Sequence, residues 1–473
     1  MTLPKLTSTG DNEPDSGRPH GQAAVYGGAT QFRSRAHKLA TLIMMTTGSA
    51  NAAMFPMMFI YYGGVPFLLA YLVLLATVAM PMMQLESSLA QFSGDGNCGI
   101  FSTVPLFLGT GYALTLYVIL RVVADTLPLS DVLLQIAGVG GSSVPWANSC
   151  PGGWAANNRT CYAIKQGSVP CRSLRSRFVD SFRRLSLGEG VPILYGDQVA
   201  LVPSKSYLEE AAGCMPDLYT PLPPYDFRRQ QSLVEHTFDN IRVQPLLSMA
   251  AIWVLVFTLA HVGFIRLKNF FYVMLGLHIA TAITLLLRAL SLEGAARGLQ
   301  AFAYADWSHL LSVEMWCQAL YTCLESVGIT GTVYLAVQRL NSFKNNFHED
   351  VLCVLVADTA SKGIGTLIAF LYLGYLSTSM GVDVRILIDY GSSIIVSITP
   401  QALSLAPDPE FWSQMYLLWL LSSLVPKILI VPDIIIEALS LPHPYILRHR
   451  VVLHFVICSI LFIISIIGCS APL

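Results

Sequence analysis

Charge is what this sequence has least of. Lys, Arg, Asp and Glu together make up 12% of its 473 residues, about half the share found in soluble globular domains, and a water-soluble fold is excluded. Neither sign is in excess: 28 Lys and Arg stand against 29 Asp and Glu, a net charge of -1. The basic surface that a nucleic-acid partner requires is therefore missing. The ten cysteines show no metal-site spacing, and the ten histidines are scattered. Ser, His and Asp occur, but nothing in the order of residues places them together. Gly-rich dipeptides lie in loops, without the strand and helix of a phosphate cradle. No enzyme chemistry and no bound cofactor is read from these residues.

What the sequence has in abundance is apolar. Hydrophobic residues reach 54%, and the mean hydropathy is +0.57. That makes an all-α polytopic membrane protein, with the lipid bilayer as its solvent. Nine spans are expected, at about 39–62, 65–89, 105–136, 246–262, 270–290, 315–340, 351–376, 411–438 and 451–468. Residues 1–37 are rich in Gly, Pro, Ser, Asp and Arg and read as a disordered cytoplasmic tail, neither signal peptide nor folded domain. Arg33, Arg35 and Lys38 hold that tail inside. Residues 38–473 form the membrane domain, and its one long polar loop, 138–243, lies outside.

The chain is organised around Thr46–Pro56, Thr-Thr-Gly-Ser-Ala-Asn-Ala-Ala-Met-Phe-Pro. This stretch sits in the first apolar span, yet its middle is small and polar. Pro56 removes a backbone donor and pushes Phe55 out of helical geometry. A membrane helix stops there only where its freed backbone groups find a ligand, a water or another helix. A close-packed kink of small residues is the alternative. The sixth span carries a second polar interruption, Leu324-Glu-Ser-Val-Gly-Ile-Thr-Gly331, at a corresponding place in the second half of the chain.

Around these breaks the order Asn51, Phe55-Pro56, Gly63-Gly64, Phe67-Leu-Leu-x-Tyr71, Pro81, Leu85-Glu86 and Gln91-Phe92 resembles the first two helices of the neurotransmitter:sodium symporter family. The stretch Arg288–Gly298, Asp306-Trp307 and Trp316 is similar to the family's third extracellular loop. Leu340-Asn-Ser-Phe-Lys-Asn-Asn-Phe-His-Glu-Asp350 is similar to its cytoplasmic loop after helix six. The resemblance covers about 38–473 and implies an inverted-repeat symporter fold with broken first and sixth helices. About nine of the family's twelve helices are present. A truncated isoform or gene model, or a scaffold that has lost its tenth helix, is the expectation that follows from the ending at Leu473.

Matched to the family pattern, the substrate-binding positions are Gly48, Asn51, Glu325, Ser326 and Gly328. The ion-site positions are Thr46, Asn51, Ser326, Asp358, Lys362 and Lys427. Several depart from the family. Met54 stands where the family has a gating Arg, and Ile119-Leu120-Arg121 replaces Tyr-Tyr-Asn. Glu325 replaces a Phe that closes over substrate. Asp358 replaces an ion-binding Asn, with Lys362 near the place of a chloride-binding Ser. Leu424-Val-Pro-Lys-Ile428 replaces the segment that builds the second sodium site, and Lys427 stands where a hydroxyl ligand belongs. The resemblance thus implies sodium and chloride as coupling ions while the residues imply that this coupling is altered or lost. Glu325, Asp358 and Lys362 are expected to form an internal charge cluster, and Arg121 pairs with Asp125 at the i,i+4 spacing. Glu86 falls on the family's Glu that satisfies unwound backbone, or else is an interfacial carboxylate.

In the outer loop the resemblance implies a disulfide between Cys150 and Cys161, with a glycan on the sequon at Asn158. Cys171 and Cys214 are a second possible pair. The expected function is transport of a small amino-acid-like or related solute across the plasma membrane by alternating access. The alternative is a non-transporting relative that acts through a membrane-protein partner or a second copy of the chain.

Overall fold

In the computed structural model of the chain, the described residues are 31–32, 34–48, 51, 54–102, 104–139, 192–195, 198–201, 243–263, 265–328, 333–342, 345–380, 384, 399–400 and 402–470. The tail up to residue 30 and the positions Cys150, Asn158, Cys161, Cys171 and Cys214 lie outside them.

The fold is helical because a bilayer leaves the backbone no other partner than itself. The first span begins as α1 (Arg35–Thr46) and resumes as α2 (Phe55–Tyr61). A tight turn at Gly63-Gly64 leads into α3 (Val65–Ser93), which loosens into a π-helical turn at Leu75–Ala79 just before Pro81. Pro81 has no backbone N–H to complete an α-helical turn at that place. The short α4 (Asn97–Ser102) precedes α5 (Leu108–Val139). Then come α6 (Val243–Ala260), α7 (Lys268–Leu290) and α8 (Ala295–Phe302). The sixth span is split into α9 (Val313–Ser326) and α10 (Val333–Gln338). The chain continues through α11 (Phe347–Met380), α12 (Pro409–Leu429), α13 (Val431–Ser440) and α14 (Arg450–Ser470).

Six helical segments among the described residues are long and apolar enough to cross a membrane. Together with the shorter α6 and the two interrupted spans, they occupy the nine places that hydropathy marks. One departure from an all-helical chain lies in the long loop. There Pro192–Tyr195 (β1) pairs antiparallel with Gln198–Leu201 (β2), Pro192 opposite Leu201. Alternation is too brief in these four-residue strands to stand out from a polar loop.

Burial sorts the helices by depth. In the apolar window of Pro409–Ser440, 89% of residues are buried, against 28% for α3, α7 and α14. The α12–α13 segment is thus the centre, and the others turn a face to lipid. Residues such as Leu116, Leu120, Val254, Val273, Leu287 and Ile463 make that outer face. Small residues allow the closest helix contact: a Cβ on Gly298 of α8 would lie 2.3 Å from the Phe370 carbonyl oxygen of α11. Backbones meet directly there, as membrane interfaces of small residues permit.

The end that the sequence places in the cytoplasm is tied by ions. Arg35 bonds Glu349 at 2.5 Å and Asp350 at 3.3 Å, and Lys38 pairs with Asp350 and donates to Asn345 at 2.7 Å. Arg35 and Lys38, expected to hold the tail inside, therefore also bolt α1 to the start of α11. Arg339 pairs with Glu437, and Arg450 and His454 of α14 meet Asp433 of α13 at 2.9 and 3.2 Å. At the opposite end Asp306 caps a short 3-10 turn, accepting from the backbone and side chain of Ser308 at 3.0 and 2.7 Å. Those two hydrogen bonds hold its carboxyl below the usual range.

Candidate functional site

The two breaks converge on one carboxylate. Past Thr46 the backbone leaves helical geometry at Thr47, and further along Asn51 N–H bonds Gly48 O at 3.0 Å. Pro56 then opens α2 in the first turn, where its missing N–H costs nothing. In the other break α9 ends at Ser326, and Gly328 takes φ +75°, a conformation that glycine adopts without steric cost. Asp358, in the middle of α11, faces both.

Asp358 is fully buried and so is Lys362, one turn further along α11; the two form an ion pair. The Asn51 amide donates to Asp358 Oδ1 at 2.8 Å. The Ser326 and Tyr71 hydroxyls donate to Oδ2 at 3.2 and 3.3 Å. Both carboxylate oxygens are thus satisfied by donors from α3, α9, α11 and the first break. The Lys362 ammonium lies 5.3 Å from the Tyr71 ring centre and 6.0 Å from that of Phe55, over faces that favour a cation. Thr46, counted with this site from the sequence, turns its hydroxyl back onto Ile43 O at 3.0 Å.

Glu325 does not join this cluster. Its Oε1 pairs with Arg121 Nη2 of α5 at 2.6 Å, and its Oε2 accepts from Tyr117 at 3.3 Å. Arg121 also holds Asp125 through Nε at 3.2 Å, as the i,i+4 spacing predicts. The expected three-residue cluster is therefore two sites. One turn of helix separates Asp358 from Lys362, whereas the guanidinium reaches Glu325 across the space between α5 and α9.

That space is a small, partly open cavity of about 50 Å³. Arg121, Asp125, Glu325, Gly328 and Lys427 supply its polar wall, and Met45, Val118, Val122, Ile428 and Val431 its apolar one. Lys427 extends from α12 across Gly48: a Cβ there would lie 2.7 Å from both Cε and Nζ. Among the described residues no carboxylate stands at ion-pair distance from Lys427. Gly48, expected to touch substrate, lies against this lysine, and Asn51 gives its amide nitrogen to Asp358 while its buried Oδ1 has no hydrogen-bond partner among the described residues. Glu86 keeps one buried oxygen without a hydrogen-bond partner.

Fixed charges stand at the places where the resemblance implies coupling ions. Asp358 already holds the Lys362 ammonium and three further donors, while the buried Asn51 Oδ1 has no hydrogen-bond partner among the described residues. An anion needs free hydroxyl and amide donors, but those of Tyr71, Ser326 and Asn51 point at Asp358. At the place of the second sodium, Pro426 and Ile428 offer no side-chain oxygen, and Lys427 brings positive charge.

Sequence reasoning missed Tyr71 as a partner of Asp358 and the Arg121–Glu325 pair. The available signal for the second was two charges of opposite sign in separate apolar spans, each of which needs a partner.

A model of the sodium:neurotransmitter symporter family matches residues 30–177 and 227–471. The sodium- and chloride-dependent glycine transporter 2 of Xenopus laevis is 21% identical over 468 residues, 97% of this chain and 55% of that protein. The creatine transporter of Torpedo marmorata is 24% identical over 389 residues, 79% of this chain and 55% of its own length. The sodium-dependent acetylcholine transporter of Caenorhabditis elegans is 22% identical over 477 residues, 99% of this chain and 63% of that protein. The chain thus spans little more than half the length of these relatives. The crystal structure of MhsT in complex with L-phenylalanine matches 93% of this chain and 80% of its own, with a TM-score of 0.64 at 13% identity. That likeness concerns the fold.

Proposed function

The chain belongs to the sodium:neurotransmitter symporter family, a family of multi-pass membrane transporters and not of enzymes, and from that premise we propose that it moves a small amino-acid-like or related solute across the plasma membrane by alternating access, with fixed charges in place of mobile coupling ions. One observation carries the reading. Asn51 from the first break and Ser326 from the second both donate to Asp358, whose charge is neutralised by Lys362. The two interrupted helices are held together by an ion pair of the protein itself, where a bound ion would otherwise have to do so. Lys427, crossing from α12 to Gly48 at the first break, places a second fixed cation between helices that must move relative to one another.

Uptake into vesicles that hold the purified full chain, with a panel of labelled amino acids and amines, tests the reading. Uptake that persists when sodium is replaced by choline and chloride by gluconate is the expected result. Uptake that collapses in choline, and is unchanged in Lys427→Ser, refutes the fixed-charge part. No uptake of any solute in the panel, from protein that is folded and correctly inserted, favours the non-transporting alternative.

A further inference from the structure

Among the described residues, Lys427 is the one charged group on the cavity wall that no protein charge pairs with. Its neighbours on the wall are accounted for: Glu325 has Arg121 on one oxygen and Tyr117 on the other, and Asp125 shares the same guanidinium. Lys427 makes no ion pair or hydrogen bond among the described residues, and Gly48 leaves open the space that its ammonium fills. An ammonium half-buried beside Met45, Val118 and Ile428 has lost part of its hydration without gaining a partner, and that cost is recovered when an anion binds.

We propose that Lys427 is the specificity-determining residue of the cavity: it receives the carboxylate of the transported solute, a small aliphatic carboxylate whose amino group is not required. The inference rests on the transport reading of the same cavity. The acidic groups argue for the second half of the claim. Both carboxylates on the wall are bound to Arg121, so an incoming ammonium has to compete with a guanidinium already in place. The apolar wall, with one methionine, one isoleucine and three valines, suits a branched hydrocarbon body. In this arrangement the contact to the carboxylate is a protein side chain, and it persists without sodium.

The test is equilibrium binding to the purified full chain in sodium-free detergent solution, read as ligand-dependent thermal stabilisation. Three probes share one carbon skeleton: leucine, 4-methylpentanoate, which lacks the amino group, and 3-methylbutylamine, which lacks the carboxylate. Leucine and 4-methylpentanoate are expected to stabilise and the amine is not. Lys427→Gln is expected to weaken both by about tenfold or more, the range for a hydrogen bond to a charged group, and Lys427→Arg to retain most of the effect. Gly48→Ala keeps the charge but places a methyl group against Cε and Nζ, and is expected to weaken binding as well. The ligand-free melting point of each variant reports whether it has folded. Stabilisation by the amine alone, or equal stabilisation of wild type and a folded Lys427→Gln, overturns the proposal. So does stabilisation by leucine with none by 4-methylpentanoate. Failure of vesicle uptake with carboxylate binding intact refutes the transport reading and leaves the receptor role of Lys427 standing.

Discussion

Lys362→Met removes the counterion of a carboxylate that no solvent reaches. Asp358 and Lys362 have 0% and 1% of their side-chain surface exposed, so the charge left behind cannot be hydrated without unfolding part of the bundle. Removing one member of a buried pair costs about 3–5 kcal/mol. After Lys362→Met, Asp358 keeps its hydrogen bonds from Asn51, Ser326 and Tyr71, which places this variant near about 3 kcal/mol, the lower end of that range. Asp358→Asn strands an ammonium whose remaining neighbours are the rings of Tyr71 and Phe55. Rings offset only about 0.5–2 kcal/mol, so this variant is expected nearer about 5 kcal/mol. The double replacement removes both charges at nearly constant shape, and such exchanges are close to neutral or stabilising. The expected order of stability is wild type close to the double variant, then Lys362→Met, then Asp358→Asn. The assay is the fraction of monodisperse protein that survives a heating series in detergent, with surface expression alongside. If the shifts of the two single variants simply add in the double, as independent sites do to within about 0.5 kcal/mol, the two charges are not coupled and the reasoning fails.

Two further outcomes follow from the same rules. Lys38→Met leaves the fully buried Asp350 with only the half-exposed Arg35 at 3.3 Å as a cation and the Asn345 amide at 2.8 Å, whereas Arg35→Ala removes a side chain that is 52% exposed and leaves Asp350 its buried lysine. The lysine change is expected to cost about 3 kcal/mol or more and the arginine change less than about 1, compared by the same heating series. Arg121→Gln leaves the nearly buried Glu325 without its cation and is expected to lower both stability and surface expression. Adding Glu325→Gln in the same chain is expected to recover most of that loss, and no recovery shows that Arg121 acts through packing alone.

The ionic contacts fall into two kinds. At the ends of the bundle, Arg35–Glu349 stands in water and contributes little, whereas Lys38–Asp350 and Arg450–Asp433 are largely buried. Those inside, Asp358–Lys362 and Arg121–Glu325, are costly to desolvate and are retained beside the two helix breaks. A protein that only needed to span the membrane would be served by apolar residues at these places. Their position is therefore the strongest argument that the breaks carry function.

The number and order of the spans were legible in the sequence, because hydropathy acts over some twenty residues at once and needs no knowledge of neighbours. So were both breaks, since Pro56 and the glycine at 328 impose their geometry locally. The Asp358–Lys362 pair was legible for the same reason: it is one helical turn long. The partner of Glu325 was not. Arg121 is some two hundred residues away, and only the packing of α5 against the neighbours of α9 brings the two within 2.6 Å. The family pattern placed Glu325 by its position in the break and drew it towards Asp358; the tertiary structure gave it to a guanidinium, which binds a carboxylate more strongly than a second carboxylate can share an ammonium. Lys427 shows the same division. Its helix was evident from sequence, but that its ammonium lies over Gly48 on the wall of a cavity is decided by how α12 crosses the first break. Local propensity and hydropathy thus settled which segments enter the membrane, while long-range packing settled which of the few charges inside it meet.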